Sequence, residues 1–215
     1  MQRYVIGLKD FKGLRQQLKL SSTQKAILIG SILGDGYLQL SKTKTNARLQ
    51  IRNTNKYVAY VDWKYKFFCD WSPNGLVKDS ANNSTYFLTI FHPELLYWKK
   101  TFYSNGRKII PINISALLTH PLSLAVWLMD DGNGYLRSKA LRISSYCFLK
   151  EEHRLLQDCL MKNFEIDSKL CQDSKGFQLY IPVRSSEKLF NLVRDYIHPS
   201  MLYKFARLNP VETTR

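Results

Sequence analysis

The sequence is poor in metal-binding side chains, in long apolar runs and in acids. Its four cysteines, Cys69, Cys147, Cys159 and Cys171, form no CxxC pair and no zinc-finger spacing, which excludes the common structural zinc modules. A chain of 215 residues can bury a core without disulfides, so the thiols are read as reduced and the compartment as intracellular. No uninterrupted apolar run reaches the roughly 20 residues that cross a bilayer, so no membrane partner is expected. Histidine is scarce as well. His92, His120 and His198 each stand immediately before a proline, a place that suits a helix start better than a ligand or a general base.

The shortage of acid is the most informative. Asp plus Glu number 17 against 32 Lys plus Arg, a net charge of +15. That excess is the electrostatic footprint of a nucleic-acid binder. Apolar residues make up 45% of the chain, enough to fill a core, so disorder is not expected. The length suits one large domain or two small ones. Residues 1–21 form a basic lead-in in which Asp10 is the one acid; a short helix is expected around Lys9–Lys19.

What is present is organised around two stretches, 28–36 and 124–132, each an apolar helical run ending in Asp then Gly: Asp35-Gly36 and Asp131-Gly132. A glycine can close a helix C-terminus. The carboxylate is out of place, because unpaired carbonyls already make that end negative. Two such ends suggest a cation site. On the first helix, Ala26, Gly30 and Gly34 recur every four residues and form a smooth face. Because Gly in a helix interior costs about 1 kcal/mol, close packing of a second helix is expected there.

After Gly36 the period changes to two. Tyr37, Gln39 and Ser41 alternate with Leu38 and Leu40, and Arg48, Gln50 and Arg52 alternate with Leu49 and Ile51. This pattern predicts a hairpin with one apolar face. Its turn carries Lys42 and Lys44, and no acid occurs from 37 to 55. Arg and Gln are side chains that read base edges in the major groove, so this face is expected on DNA. A helix over about 55–68 follows, with Tyr57, Val58, Val61, Tyr65 and Phe68 as its apolar stripe. Strands are expected near 76–79 and 85–91, a helix after Pro93, and a loop over 104–111. The cycle then repeats: Tyr135 and Arg137, then Arg142 and Ser144, alternate with Leu136, Leu141 and Ile143. A helix over 150–163, strands near 168–172 and 177–181, and a helix from Ser186 to Tyr196 complete it. Asp131 follows Asp35 by 96 positions, and Lys204 follows Lys108 by 96. The chain reads as a duplicated unit, with a boundary between 22–112 and 113–215.

The stretches LIGSILGDG (28–36) and LAVWLMDDG (124–132) resemble the nine-residue signature of the LAGLIDADG homing endonucleases, in the single-chain, two-motif, intron-encoded form. The resemblance extends over nearly the whole chain from about Thr23. It implies an α+β fold, a duplicated αββαββα unit whose two pseudo-twofold-related halves carry antiparallel sheets that form a saddle over DNA. It assigns Asp35 and Asp131 as catalytic acids and metal ligands, and the segments around Lys108 and Lys204 as carriers of the active-site lysines. The Gly34 and Asp130 carbonyls are expected as additional metal ligands. The implied cofactor is Mg²⁺, with Mn²⁺ as a substitute and Ca²⁺ supporting binding without cleavage. The saddle would bring further DNA contacts from Lys78, Asn82 and Asn83 in the first half. In the second half they would come from Lys139, Lys169, Gln172, Lys175, Gln178, Tyr180 and Arg184. The implied activity is a staggered double-strand cut in a long asymmetric DNA target by a monomer. An RNA maturase, holding intron RNA on the same saddle, is the second reading. A basic DNA-binding regulator is the third, weakened by the lack of a helix-turn-helix pattern. The host compartment, organelle or microbial cytoplasm, stays open.

Overall fold

The computed structural model describes residues 17–135 and 138–209. The expected helix around Lys9–Lys19 falls mainly outside them, and Arg137 lies outside them too. Helix α1 (Ser22–Leu33) begins at a reciprocal cap: Ser21 Oγ accepts from the Gln24 amide and the Gln24 side chain accepts from the Ser21 amide. These two bonds satisfy donors that a bare helix start would leave open. Strands β1 (Tyr37–Leu40) and β2 (Ala47–Thr54), helix α2 (Val58–Phe67), strands β3 (Val77–Asp79) and β4 (Ser84–Leu88), and helix α3 (Pro93–Phe102) follow. A short hairpin, β5 (Tyr103–Ser104) and β6 (Arg107–Lys108), and a one-turn helix α4 (Ile114–Leu117) lead to α5 (Pro121–Asp131). The order then recurs as β7 (Gly132–Gly134), β8 (Leu141–Ile143), α6 (Lys150–Phe164), β9 (Lys169–Asp173), β10 (Gly176–Ile181) and α7 (Val183–Val193). A 3₁₀ segment, Pro199–Phe205, ends the described chain's regular structure.

The two halves share one topology. Their four-stranded antiparallel sheets run β1-β2-β4-β3 and β7-β8-β10-β9. A single apolar core joins the inner faces of both sheets to α1 and α5, and Trp71, Trp127, Phe87 and Phe205 are all fully buried in it. Helices α1 and α5 pack against each other on the small-residue face. A Cβ on Gly30 would lie 2.3 Å from the Ser123 carbonyl oxygen and 2.7 Å from Val126 Cβ, and one on Gly34 would lie 2.5 Å from Asp130 Cβ. Only glycine permits that approach.

The histidines have the expected place. His92, His120 and His198 each accept through Nδ1 from the amide two residues on, those of Glu94, Leu122 and Ser200, with Pro at the first helical position. They cap α3, α5 and the 3₁₀ segment.

Four local expectations need correction. The 104–111 loop contains a hairpin turn: Asn105 and Gly106 take φ of 48° and 79°, the paired positive values of a tight two-residue turn that Asn-Gly favours. Helix α7 starts at Val183, not Ser186, so Arg184 is helical. On α2, Val58 is exposed, while Tyr60, Val61 and Lys64 are buried. Strand β7 stops at Gly134, before Tyr135.

Candidate active site and nucleic-acid interface

The abutting helices α1 and α5 deliver their C-termini to one place. Gly34 caps α1 by donating its amide to the Gly30 carbonyl at 3.1 Å, and Asp35 follows it; Asp131 is the last residue of α5. Burial, then the Asp35 and Asp130 carboxylates, push the Asp131 carboxyl up to about 8. Asp35 opens to solvent, yet the protein packed behind it and the Asp130 charge push its carboxyl up as well, against the pull of Lys64, Lys204 and Lys108. Burial and mutual repulsion both disfavour the charged acids here, and a cation between them would favour their ionised forms.

The two lysines predicted from the 96-residue repeat arrive from different structures and make the same contact. Lys108, on β6, donates from Nζ to the Gly34 carbonyl at 2.5 Å, and Lys204, in the 3₁₀ segment, donates to the Asp130 carbonyl at 2.6 Å. Gly34 and Asp130 are themselves related by the repeat. Burial pushes both ammonium groups below their ordinary range, and the neighbouring acids hold them up. The β5–β6 hairpin that carries Lys108 is anchored across to α6 by a two-pronged ion pair, Arg107 Nη1 to Glu152 Oε2 at 2.8 Å and Nη2 to Oε1 at 3.0 Å.

One functional group went unforeseen in the sequence. The Asp130 side chain does not face outward beside Asp131. It turns back across the helix pair into the space that Gly34 leaves open, where its carboxylate meets Lys64 Nζ at 2.8 and 2.9 Å, Tyr60 Oη at 2.8 Å and the Asp35 amide at 3.2 Å. The Lys64 and Asp130 side chains are 2% and 1% exposed. The readable signal was a lysine inside the apolar stripe of α2, a position that calls for a buried partner. A second bridge is made by half-buried Tyr57 and exposed Tyr203, whose rings stack with hydroxyls 2.7 Å apart.

The donor set is all oxygen: two carboxylates and the Gly34 and Asp130 carbonyls. Among the described residues no three carboxylate, thiol or imidazole groups converge. A hard divalent cation would fit such donors, with the rest of its shell supplied from outside the chain.

The sheets place the residues expected at the interface as follows. Tyr37 pairs with Gln50 and Gln39 with Arg48, and Arg48 Nε donates to Gln39 Oε1 at 2.9 Å. Arg52 stacks over the Tyr86 ring and is held by Asp79 at 2.6 Å. Lys42 and Lys44 stand exposed in the β1–β2 turn and Ser41 begins it. Asn82 and Asn83 occupy the β3–β4 turn, tied to Asp79 and Asn55. In the second sheet, Arg142, Tyr180 and Lys169 form one cross-strand row. Arg142 bonds the Tyr135 hydroxyl, Ser144 donates its amide to the Asp131 carbonyl, and Lys175 is exposed at the β9–β10 turn.

Five expected contacts fall elsewhere. Lys78 pairs with Thr85 and Gln172 with Phe177, so both belong to the register of the core side. Gln178 shares the polar face but is 3% exposed, covered by Asp173 and Tyr146, which it hydrogen-bonds. Arg184 on α7 pairs with Asp167, and Lys139 pairs with Glu187 of the same helix.

Comparison with known proteins agrees with this architecture. The model of the LAGLIDADG DNA endonuclease family matches residues 25–189. The probable intron-encoded endonuclease 1 of Wickerhamomyces canadensis is 30% identical, over 95% of this chain and 97% of that protein. A cytochrome b mRNA maturase bI2 of Debaryomyces hansenii is 26% identical, over 83% of this chain and 71% of its own length. The structure of the homing endonuclease I-WcaI bound to its DNA recognition sequence is 28% identical with a TM-score of 0.84, covering 94% of this chain and 95% of that one. Paired motif helices, duplicated sheets and this family match lead to one conclusion: the chain belongs to the LAGLIDADG DNA endonuclease family.

Proposed function

We propose that this chain is a monomeric, site-specific DNA endonuclease that hydrolyses one phosphodiester in each strand of a long asymmetric target, with a divalent cation such as Mg²⁺. The observation that carries the reading is the twofold Lys-to-carbonyl contact, Lys108 to Gly34 and Lys204 to Asp130, flanking two acids whose carboxyls are pushed upward. Each half, 22–112 and 113–215, thereby supplies one acid and one cation, so one chain suffices. When bound, the cation supplies an activated water and Lewis-acid stabilisation of the leaving oxygen. Asp35 and Asp131 would hold it with carboxylate oxygens, with the Gly34 and Asp130 carbonyls, which accept from Lys108 and Lys204, as the further oxygen donors beside them. Lys108 and Lys204 offset negative charge that develops on each phosphate. The polar sheet faces, with Arg48, Gln50 and Arg52 in one half and Arg142 and Ser144 in the other, read different sequences, which makes the target asymmetric.

Selection from a randomised duplex library, followed by plasmid cleavage, tests the reading. The wild-type chain should linearise its selected target in Mg²⁺ or Mn²⁺ and bind without cutting in Ca²⁺. Asp35→Asn and Asp131→Asn should bind and leave both strands intact. Linearisation by either variant at the wild-type rate would overturn the assignment. The relative named as an mRNA maturase motivates a second reading, in which the saddle holds intron RNA; specific RNA retention with no DNA cleavage would select it.

A further inference from the structure

Among the described residues, two lysine side chains are buried, and they differ in their partners. Lys64 has a carboxylate at 2.8 Å. Lys99, in the last turn of α3, is 8% exposed, and its ammonium makes no hydrogen bond or ion pair among the described residues. Its ammonium sits 3.3 Å from the centre of the Tyr103 ring and 4.8 Å from that of Tyr37. Ring faces attract a cation but accept none of its three N–H bonds in full. The stem of the side chain is buried while the ammonium reaches the cleft, held on ring faces with no carboxylate beside it, a setting that suits an anion arriving from solvent.

The space for one is there. Lys99 lines a cleft of about 390 Å³ together with Tyr37, Lys44, Lys100, Tyr103 and Asn105, and no carboxylate faces it. The walls are fixed before any ligand arrives. Tyr103 Oη accepts from the Leu38 amide at 3.2 Å, its ring meets Tyr37 edge-on at 6.0 Å, and Asn105 stands in the tight β5–β6 turn. Three cations with no acid select an oxyanion over a metal or an amine. The cleft also adjoins the candidate active site. Tyr37 lies two residues beyond Asp35, and the hairpin that bears Asn105 places Lys108 on the Gly34 carbonyl.

We propose that this cleft is a phosphate site, in which Lys99, supported by Lys44 and Lys100, grips a backbone phosphate of the target duplex next to the one being cut. The identity of the phosphate as DNA rests on the endonuclease reading above; the oxyanion site itself does not. A contact of this kind holds the strand in register and reads no base.

The test is equilibrium binding of the selected duplex in Ca²⁺ across a salt series, using wild type, Lys99→Met and Lys99→Arg, with thermal unfolding of each as a folding control. Loss of one phosphate contact should lower the slope of log affinity against log salt by about 1, with Lys99→Arg restoring it. A single neutral methylphosphonate beside the cleavage position should reproduce the loss in wild type and add nothing in Lys99→Met. A folded Lys99→Met variant with unchanged slope would overturn the DNA contact. Phosphorus NMR of inorganic phosphate with each variant reads the cleft without DNA, so it still decides if the chain binds no duplex. Broadening by wild type that Lys99→Met abolishes supports the oxyanion site. Equal broadening by both refutes it, and broadening with an unchanged duplex slope leaves free phosphate as the ligand in place of DNA.

Discussion

Replacing Lys64 by methionine leaves the Asp130 carboxylate 1% exposed and without its cation. Removing one member of a buried pair typically destabilises by about 3–5 kcal/mol, because the remaining charge stays desolvated. Asp130 would keep the Tyr60 hydroxyl at 2.8 Å and the Asp35 amide at 3.2 Å, which places the expected loss near the lower end, about 3 kcal/mol. For a protein of this size each kcal/mol moves Tm by about 2–4 °C, so the variant should melt about 6–12 °C below wild type. Lys64→Met combined with Asp130→Asn removes both charges and should recover most of the loss, a coupling that a double-mutant cycle isolates. Denaturant unfolding of the four proteins is the assay. A Lys64→Met penalty below about 1 kcal/mol, or strict additivity in the cycle, would show that the buried pair is not coupled.

Three further outcomes follow from the same geometry. Gly30→Val drives a side chain into the Ser123 carbonyl, a backbone atom that cannot swing aside, and should lose about 1–3 kcal/mol or more in unfolding experiments. Without divalent metal, the folded chain holds a proton on Asp131 up to about 8, whereas the unfolded chain releases it near 3.8. This group's stabilisation is therefore complete below about 4 and lost as pH rises through 8, so Tm followed against pH should show that decline, and Asp131→Asn should flatten it. On the sheet faces, Arg48→Ala should weaken duplex binding in a filter or fluorescence assay, whereas Lys78→Ala and Gln172→Ala, on the core-side register, should leave it unchanged.

Much of the centre was legible because it depends on local chemistry and on repetition. Asp–Gly at two helix ends, the four-residue spacing of Ala26, Gly30 and Gly34, and the shared offset of 96 each fix a physical requirement independent of tertiary detail. What was hidden depended on register and on partners distant in sequence. Lys78 and Gln172 looked like groove residues until pairing assigned their faces, since one residue of slip reverses every side chain. Asp130 was expected to act through its carbonyl, and only the opening at Gly34 and the cation on α2 reveal that its side chain turns inward. The Asn105–Gly106 turn is different: its signal stood in the sequence and went unused beside two conspicuous cations.

The proposed active site is composite, with each half contributing the lysine for one strand. Strand-resolved cleavage of a duplex carrying different labels on its two 5′ ends tests it directly, with Lys108→Met and Lys204→Met compared against wild type. Each variant should slow cleavage of one strand, the two variants should affect opposite strands, and nicked product should accumulate. Equal slowing of both strands by either variant, or slowing of the same strand by both, would rule out one lysine per strand.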